Sequence, residues 1–84
     1  MKLRVYSVRD IKADAFAPPF FLGRDEVAAR SFSDAIHDPK HPMASHPEDY
    51  ELYCLGDFDD ETGRIEPAQN PIFLVNGNGE MSRG

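Results

Sequence analysis

The chain predicts an α+β domain: a small antiparallel or mixed sheet of three to five strands, with one amphipathic helix packed on one face. Three stretches carry that reading. From Gly23 to Asp38, apolar side chains return at helical spacing: Val27, Ala28, Ser31, Phe32, Ala35 and Ile36 form one stripe. From Met1 to Lys12, Leu3, Val5, Tyr6 and Val8 give β-branched and aromatic character. From Tyr50 to Phe58, Tyr50, Leu52 and Cys54 alternate with Glu51, Tyr53 and Leu55, as a strand requires.

The first strand is apolar on both sides, which fits a central position with the helix on one face and a second layer or partner on the other. Lys2 and Arg4 share a face, since strand side chains alternate. Pro18 and Pro19 then forbid a central strand and favour an extended or edge segment. Phe16, Phe20, Phe21 and Leu22 gather around that prolyl pair. They read either as core lids feeding the helix or as an exposed patch for partner contact.

The helix opens with Asp25 and Glu26, where the positive end of its dipole favours carboxylates. Pro39 stops it. Its narrow stripe has to cover something, most simply the sheet. The segment from Asp38 to Asp49 holds three prolines and no apolar period, so it reads as a long crossover loop. In the second strong strand, Gly56 marks a bulge. Asp59 to Gly63 close a hairpin, Gly63 supplying a positive φ. Arg64 begins a returning strand that Pro67 cuts short. Asn70-Pro71 reads as a further turn, and Ile72 to Val75 as a last edge strand or a docking segment. One domain over residues 1–75 and a flexible tail over 76–84 follow.

Length and charge set the bounds. A chain of 84 residues buries only about two-thirds of its unfolded surface, so self-association is an ordinary route to more burial. Met1 precedes a charged, strand-like stretch rather than an apolar one, which predicts no secretory signal. No apolar run reaches the roughly 20 residues of a membrane span. The single cysteine, Cys54, suits a reducing compartment. Residues 1–30 carry a net charge of +2 and residues 31–84 a net charge of −8. A domain that held DNA through its phosphates would be basic overall.

The chemistry-bearing groups are sparse. His37, His41 and His46, with Asp38 and Glu48 nearby, match no defined metal spacing. Asp57, Asp59 and Glu61 resemble the start of a calcium loop, but Thr62 and Ala68 stand where that loop needs glycine and glutamate. Cys54 lies inside an apolar strand and reads as a small hydrophobe. Ser31 reads as an inner-stripe residue bonded to its own backbone. No nucleophile is spaced beside a base, so the chain is read as non-catalytic, without metal or cofactor. For single-stranded nucleic acid, the candidate footprint is Lys2, Arg4, Arg9 and Lys12 with Tyr6 and Phe16 interleaved. The competing reading places the rings in the core and leaves the cations to solubilise an edge. Phe16, Phe20 and Phe21 are the candidate partner-contact residues.

Four sequence pieces add a resemblance: K-L-x-V-Y-S-V-x-D at the start, A-F-x-P-P-F-F, R-S-F-x-D-A-I at the helix end, and H-P-E-D-Y-x-L-Y-x-L-G-x-F-D-D-x-T-G. Together they resemble the small nonstructural protein of gokushoviruses, the single-stranded DNA bacteriophages of the Microviridae. The similarity runs from about Met1 to Pro67, and the tail beyond carries no comparable signature. The resemblance implies a protein made in the host bacterial cytoplasm and left out of the virion. It implies a non-catalytic role in replicating the viral single-stranded genome, or in the switch to single-strand synthesis, through contacts with phage or host replication proteins. Weak single-stranded DNA binding by the N-terminal basic face and a host-directed inhibitor are the alternatives. No membrane partner is implied, and a homo-oligomer stays open.

Overall fold

A computed structural model describes residues 1–81. Strand β1 (Lys2–Asp10) lies at the centre of an antiparallel sheet. On one side it pairs with the short β2 (Ala15–Phe16) and β3 (Phe20–Leu22), which follow each other along the same edge. On its other side lies β4 (Tyr50–Asp59), which in turn pairs with β5 (Ile65–Asn76). Helix α1 (Asp25–His37) packs across one face. The prolyl pair between β2 and β3 cannot join the ladder, so two short edge strands form where one long one would otherwise run.

The helix and sheet make the core together. Ala28, Phe32 and Ile36, four residues apart, meet Tyr6, Leu52, Cys54 and Val75. Tyr6 pairs with Cys54, and Val8 with Leu52, so these side chains share the helix-facing side. The stripe is rotated from the one the spacing suggests. Val27 is 41% exposed and Ser31 is exposed, whereas Asp25 turns inward. The cause is polar. The Asp25 carboxylate accepts from the Tyr6 hydroxyl at 2.7 Å and from Arg4 at 3.0 Å, and this draws the first helical turn around toward β1. Ser31 is therefore not an inner residue.

The returning strand also differs from expectation. Pro67 does not end it, and Asn70-Pro71 does not break it into two. Strand β5 runs through both prolines because it is an edge, where a missing N–H faces no partner. Cys54 pairs with Ile72 and Gly56 with Pro67, so the stretch from Ala68 to Pro71 bulges opposite Leu55 alone. Gly56 makes this crossing possible. Its φ is 154°, and a Cβ there would collide with the Glu66 carbonyl and lie 2.8 Å from Pro67 Cα. The hairpin between β4 and β5 closes on Gly63 at φ 76°.

The crossover from α1 to β4 folds into two short 3₁₀ turns, Pro42–Ser45 and Pro47–Asp49. After β5 the chain continues into a hydrogen-bonded turn. Gly77 N–H donates to the Tyr50 carbonyl at 2.9 Å, and Asn76 Oδ1 accepts from the N–H groups of Asn78 and Glu80. Gly77 lies so close to Pro47 that a Cβ would run into its carbonyl oxygen. These hydrogen bonds reach Glu80, and residues 82–84 of the expected tail lie outside the described residues.

Candidate functional site

Alternation along β1 sends Val5, Ser7 and Arg9 to the side away from the helix, because Tyr6 points into the core. Their partners share that side: Phe21 opposite Val5, Tyr53 opposite Ser7, Glu51 and Phe16 opposite Arg9. Phe58, opposite Leu3, and Phe73, opposite Tyr53, complete it. An antiparallel sheet with one wet face normally alternates to polar side chains there. This one alternates to rings.

The rings form two groups. Phe16, Tyr53 and Phe73 make a row across the strands, edge to face, with centroids 5.5 Å and 5.8 Å apart. Phe21 meets Phe58 at 5.3 Å. Tyr53 is covered by its neighbours, but Phe16 and Phe21 remain 44% and 41% exposed. Beneath them Ser7 is fully buried, its hydroxyl donating to the Ala17 carbonyl at 2.6 Å. The Tyr53 hydroxyl donates to Glu51 at 2.9 Å, and Arg9 approaches the same carboxylate at 3.7 Å.

The expected nucleic-acid footprint does not assemble on this face. Tyr6 has no exposed surface and cannot stack on a base. Burial and donation to Asp25 push its hydroxyl pKa far above the ordinary tyrosine range. Arg4 lies on the helix side, held by Asp25 and, at 3.7 Å, by Asp57. Arg9 sits between Asp14, at 2.6 Å, and Glu51. Lys2 and Lys12 are exposed at the start of β1 and in the turn after it. The three candidate contact residues divide as well. Phe16 and Phe21 lie on the open face, while Phe20 turns to the core and packs 5.8 Å from Tyr6.

A second apolar feature opens beside the helix. A cleft of about 690 Å³ lies between the end of β1, the Pro18–Phe20 segment, α1 and the first 3₁₀ turn. Val8, Phe20, Phe32, Ala35, Met43 and Tyr50 contribute to its walls, and Ser31 stands at its lining. Among the described residues, no lysine or arginine lines it.

The remaining polar groups serve local structure. His37 Nδ1 bonds the Ser33 carbonyl at 2.8 Å, and His41 Nδ1 accepts from Met43 N–H at 3.2 Å. His46, Glu48 and Asp49 come within 4.8 Å of one another on the loop surface. Asp59 caps the hairpin: its carboxylate accepts from Glu61 N–H at 2.9 Å, and that bond holds its pKa below the usual range. Cys54 is fully buried, its thiol 3.6 Å from the Gly56 carbonyl. No described helix is long and apolar enough to cross a membrane.

Residues 3–79 match the family described as Phage ORF5 protein. The chain belongs to that family. It is 32% identical over 85 residues to "Protein ORF5" of Chlamydia phage 1, an alignment covering 96% of this chain and 88% of that protein. Chlamydia phage 1 is a gokushovirus of the Microviridae, so the resemblance read from the sequence pieces holds. No solved structure matches. The ORF5 match passes Pro67 and takes in all of β5 and the turn behind it, so the similarity is not confined to the stretch from Met1 to Pro67. In this ORF5-family chain, sequence pattern alone does not place Phe58 and Phe73 on the open face. Strict alternation from Tyr53 would have misplaced Phe58, because the bulge at Gly56 shifts the register. Phe73 was legible only once its run was tied to β4.

Proposed function

We propose that this ORF5-family protein is a non-catalytic accessory factor of phage genome replication. It assists synthesis of the single-stranded genome, or the switch to it, by contacting phage or host replication proteins in the cytoplasm of the infected bacterium. One observation carries the reading: the arginines of the N-terminal strand already hold carboxylates. Arg4 is paired with Asp25 and Asp57, and Arg9 with Asp14 and Glu51. A phosphate backbone would have to displace those partners in a chain of net charge −6. A large apolar surface left available to another protein is the cleft beside the helix. A cleft of that size takes one or two apolar side chains of a partner.

The test is the form of the viral genome in infected cells. With the gene interrupted, duplex DNA accumulates and single strands fall several-fold, and Ser31→Arg at the cleft reproduces the loss without touching the core. An unchanged ratio with the gene interrupted overturns the reading. The exposed ring of Phe16, beside Lys12 in the turn after β1, favours a second reading, weak single-stranded DNA binding, because bases stack on open rings near cations. An oligonucleotide titration across a salt series separates the two, since phosphate-driven binding weakens steeply as salt rises.

A further inference from the structure

We propose that the open face of the sheet is covered by the same face of a second copy of this chain, giving a homodimer with helix, sheet, sheet and helix in successive layers. This goes beyond the replication reading, which concerns other proteins. Three observations point to a copy rather than to another occupant.

The first is charge. The chain carries −6, yet the open face holds one arginine and one glutamate that face each other, with Asp14 at its corner. Two such faces meet without stranding a charge, whereas an anionic ligand finds no unengaged cation among the described residues of the face. The second is area. The sheet is four strands wide and its central strands are nine and ten residues long, so its face spans about 19 Å by 30 Å at ~4.8 Å per strand and ~3.3 Å per residue. Full coverage of both faces spans at most about 1,100 Å², close to the ~1,000 Å² at which specific interfaces begin. The third is the state of the edges. Pro67, Pro71 and the bulge break up the β5 edge, and Pro18-Pro19 splits the other. Strand addition is hindered along both edges, with only Ile72–Asn76 of β5 free of proline and bulge, which favours face-to-face packing about 10 Å apart.

Light scattering across a concentration series tests this directly. The expected mass rises from 9.4 kDa to twice that value as concentration increases. Phe21→Glu weakens association by at least ~30-fold, as loss of a hot-spot ring does. Phe16→Ser, on the other ring group, is the second variant if Phe21→Glu fails to unfold cooperatively. Val27→Glu, on the outer side of the helix, leaves the dimer unchanged. Salt adds a sign. Screening the −6 charge tightens self-association, the opposite of phosphate-driven binding. A wild-type chain that stays monomeric at every concentration overturns the proposal. So does a dimer indifferent to both ring variants, or a monomer whose ring variants lose affinity for oligothymidylate instead. None of these outcomes touches the genome-form test, so the two readings fail separately.

Discussion

The helix-covered face and the open face of the sheet are built from the same strands and carry comparable ring carbon, yet they end in different states. On one side Tyr6, Leu52, Cys54 and Ala28 lose all contact with water. On the other Phe16 and Phe21 keep close to half of theirs. Among the described residues there is one α-helix to give and two apolar sheet faces to cover. The difference teaches where stability resides and where association is expected, and substitutions on each side can break or sharpen it.

The largest effect belongs to Phe32→Ala. Phe32 is 3% exposed at the middle of the helix stripe, and removing a buried phenylalanine costs about 3–5 kcal/mol. In a domain this small that is much of the total, so urea unfolding should show a collapsed midpoint or no folded baseline. The parallel change on the open face, Phe21→Ala, should cost the monomer about 1 kcal/mol, since roughly half of the ring is already in water. Similar losses at low concentration would mean that the two faces are not as unequal as their exposures.

Gly56→Ala comes next because it strikes both faces together. Its φ of 154° and the nearby Glu66 and Pro67 backbone leave no room for a methyl group. Backbone strain and overpacking together should cost about 2–4 kcal/mol. Strand β5 brings Val75 to the helix side and Phe73 to the open side. Hydrogen exchange should therefore quicken along β5 as a whole, not on one side of the sheet.

Tyr6→Phe tests the polar tie between the sheet and the helix start. Losing the hydroxyl's bond to Asp25 should cost about 1–1.5 kcal/mol at neutral pH. The pH dependence has a definite sign. The folded-state pKa of Tyr6 is raised above the unfolded value of about 10, so its contribution is complete below pH ~10 and is lost as pH climbs toward the folded pKa. The stability gap between wild type and Tyr6→Phe should narrow in that alkaline window. A gap that stays constant would mean that the hydroxyl is not shielded as its burial implies.

Much of the fold was legible in the sequence because local pattern and tertiary need agreed. Helix α1, strands β1 and β4, the Gly56 bulge and the Gly63 turn each answer to periodicity or to a backbone requirement. Strand β5 was legible only as two pieces, one from Arg64 and one over Ile72 to Val75, since Pro67 and Pro71 break strands everywhere except at an edge, and edge position is a property of the whole sheet. The candidate site was half legible. The phenylalanines around Pro18-Pro19 stood out, but Phe20 turned to the core while Phe16 and Phe21 did not. The basic N-terminal strand was visible too. Its neutralisation was not, because Asp25, Glu51 and Asp57 come from remote parts of the chain.

Val27→Ala should have the smallest effect and is the most direct test of how the helix is seated. Apolar spacing alone puts Val27 on the inner stripe, next to Ala28 and Phe32. The structure leaves it 41% exposed, because the carboxylate of Asp25 reaches Arg4 and Tyr6 and turns the helix toward its own side. Truncation then removes a few partly wet methyl groups and gains the better helix propensity of alanine, worth about 0.5 kcal/mol. The two contributions oppose each other, and the urea midpoint should stay within about 0.5 kcal/mol of wild type. A loss of several kcal/mol would place Val27 in the core and return Asp25 to water. The tie to Tyr6 would go with it, and the alkaline behaviour predicted for that residue would vanish.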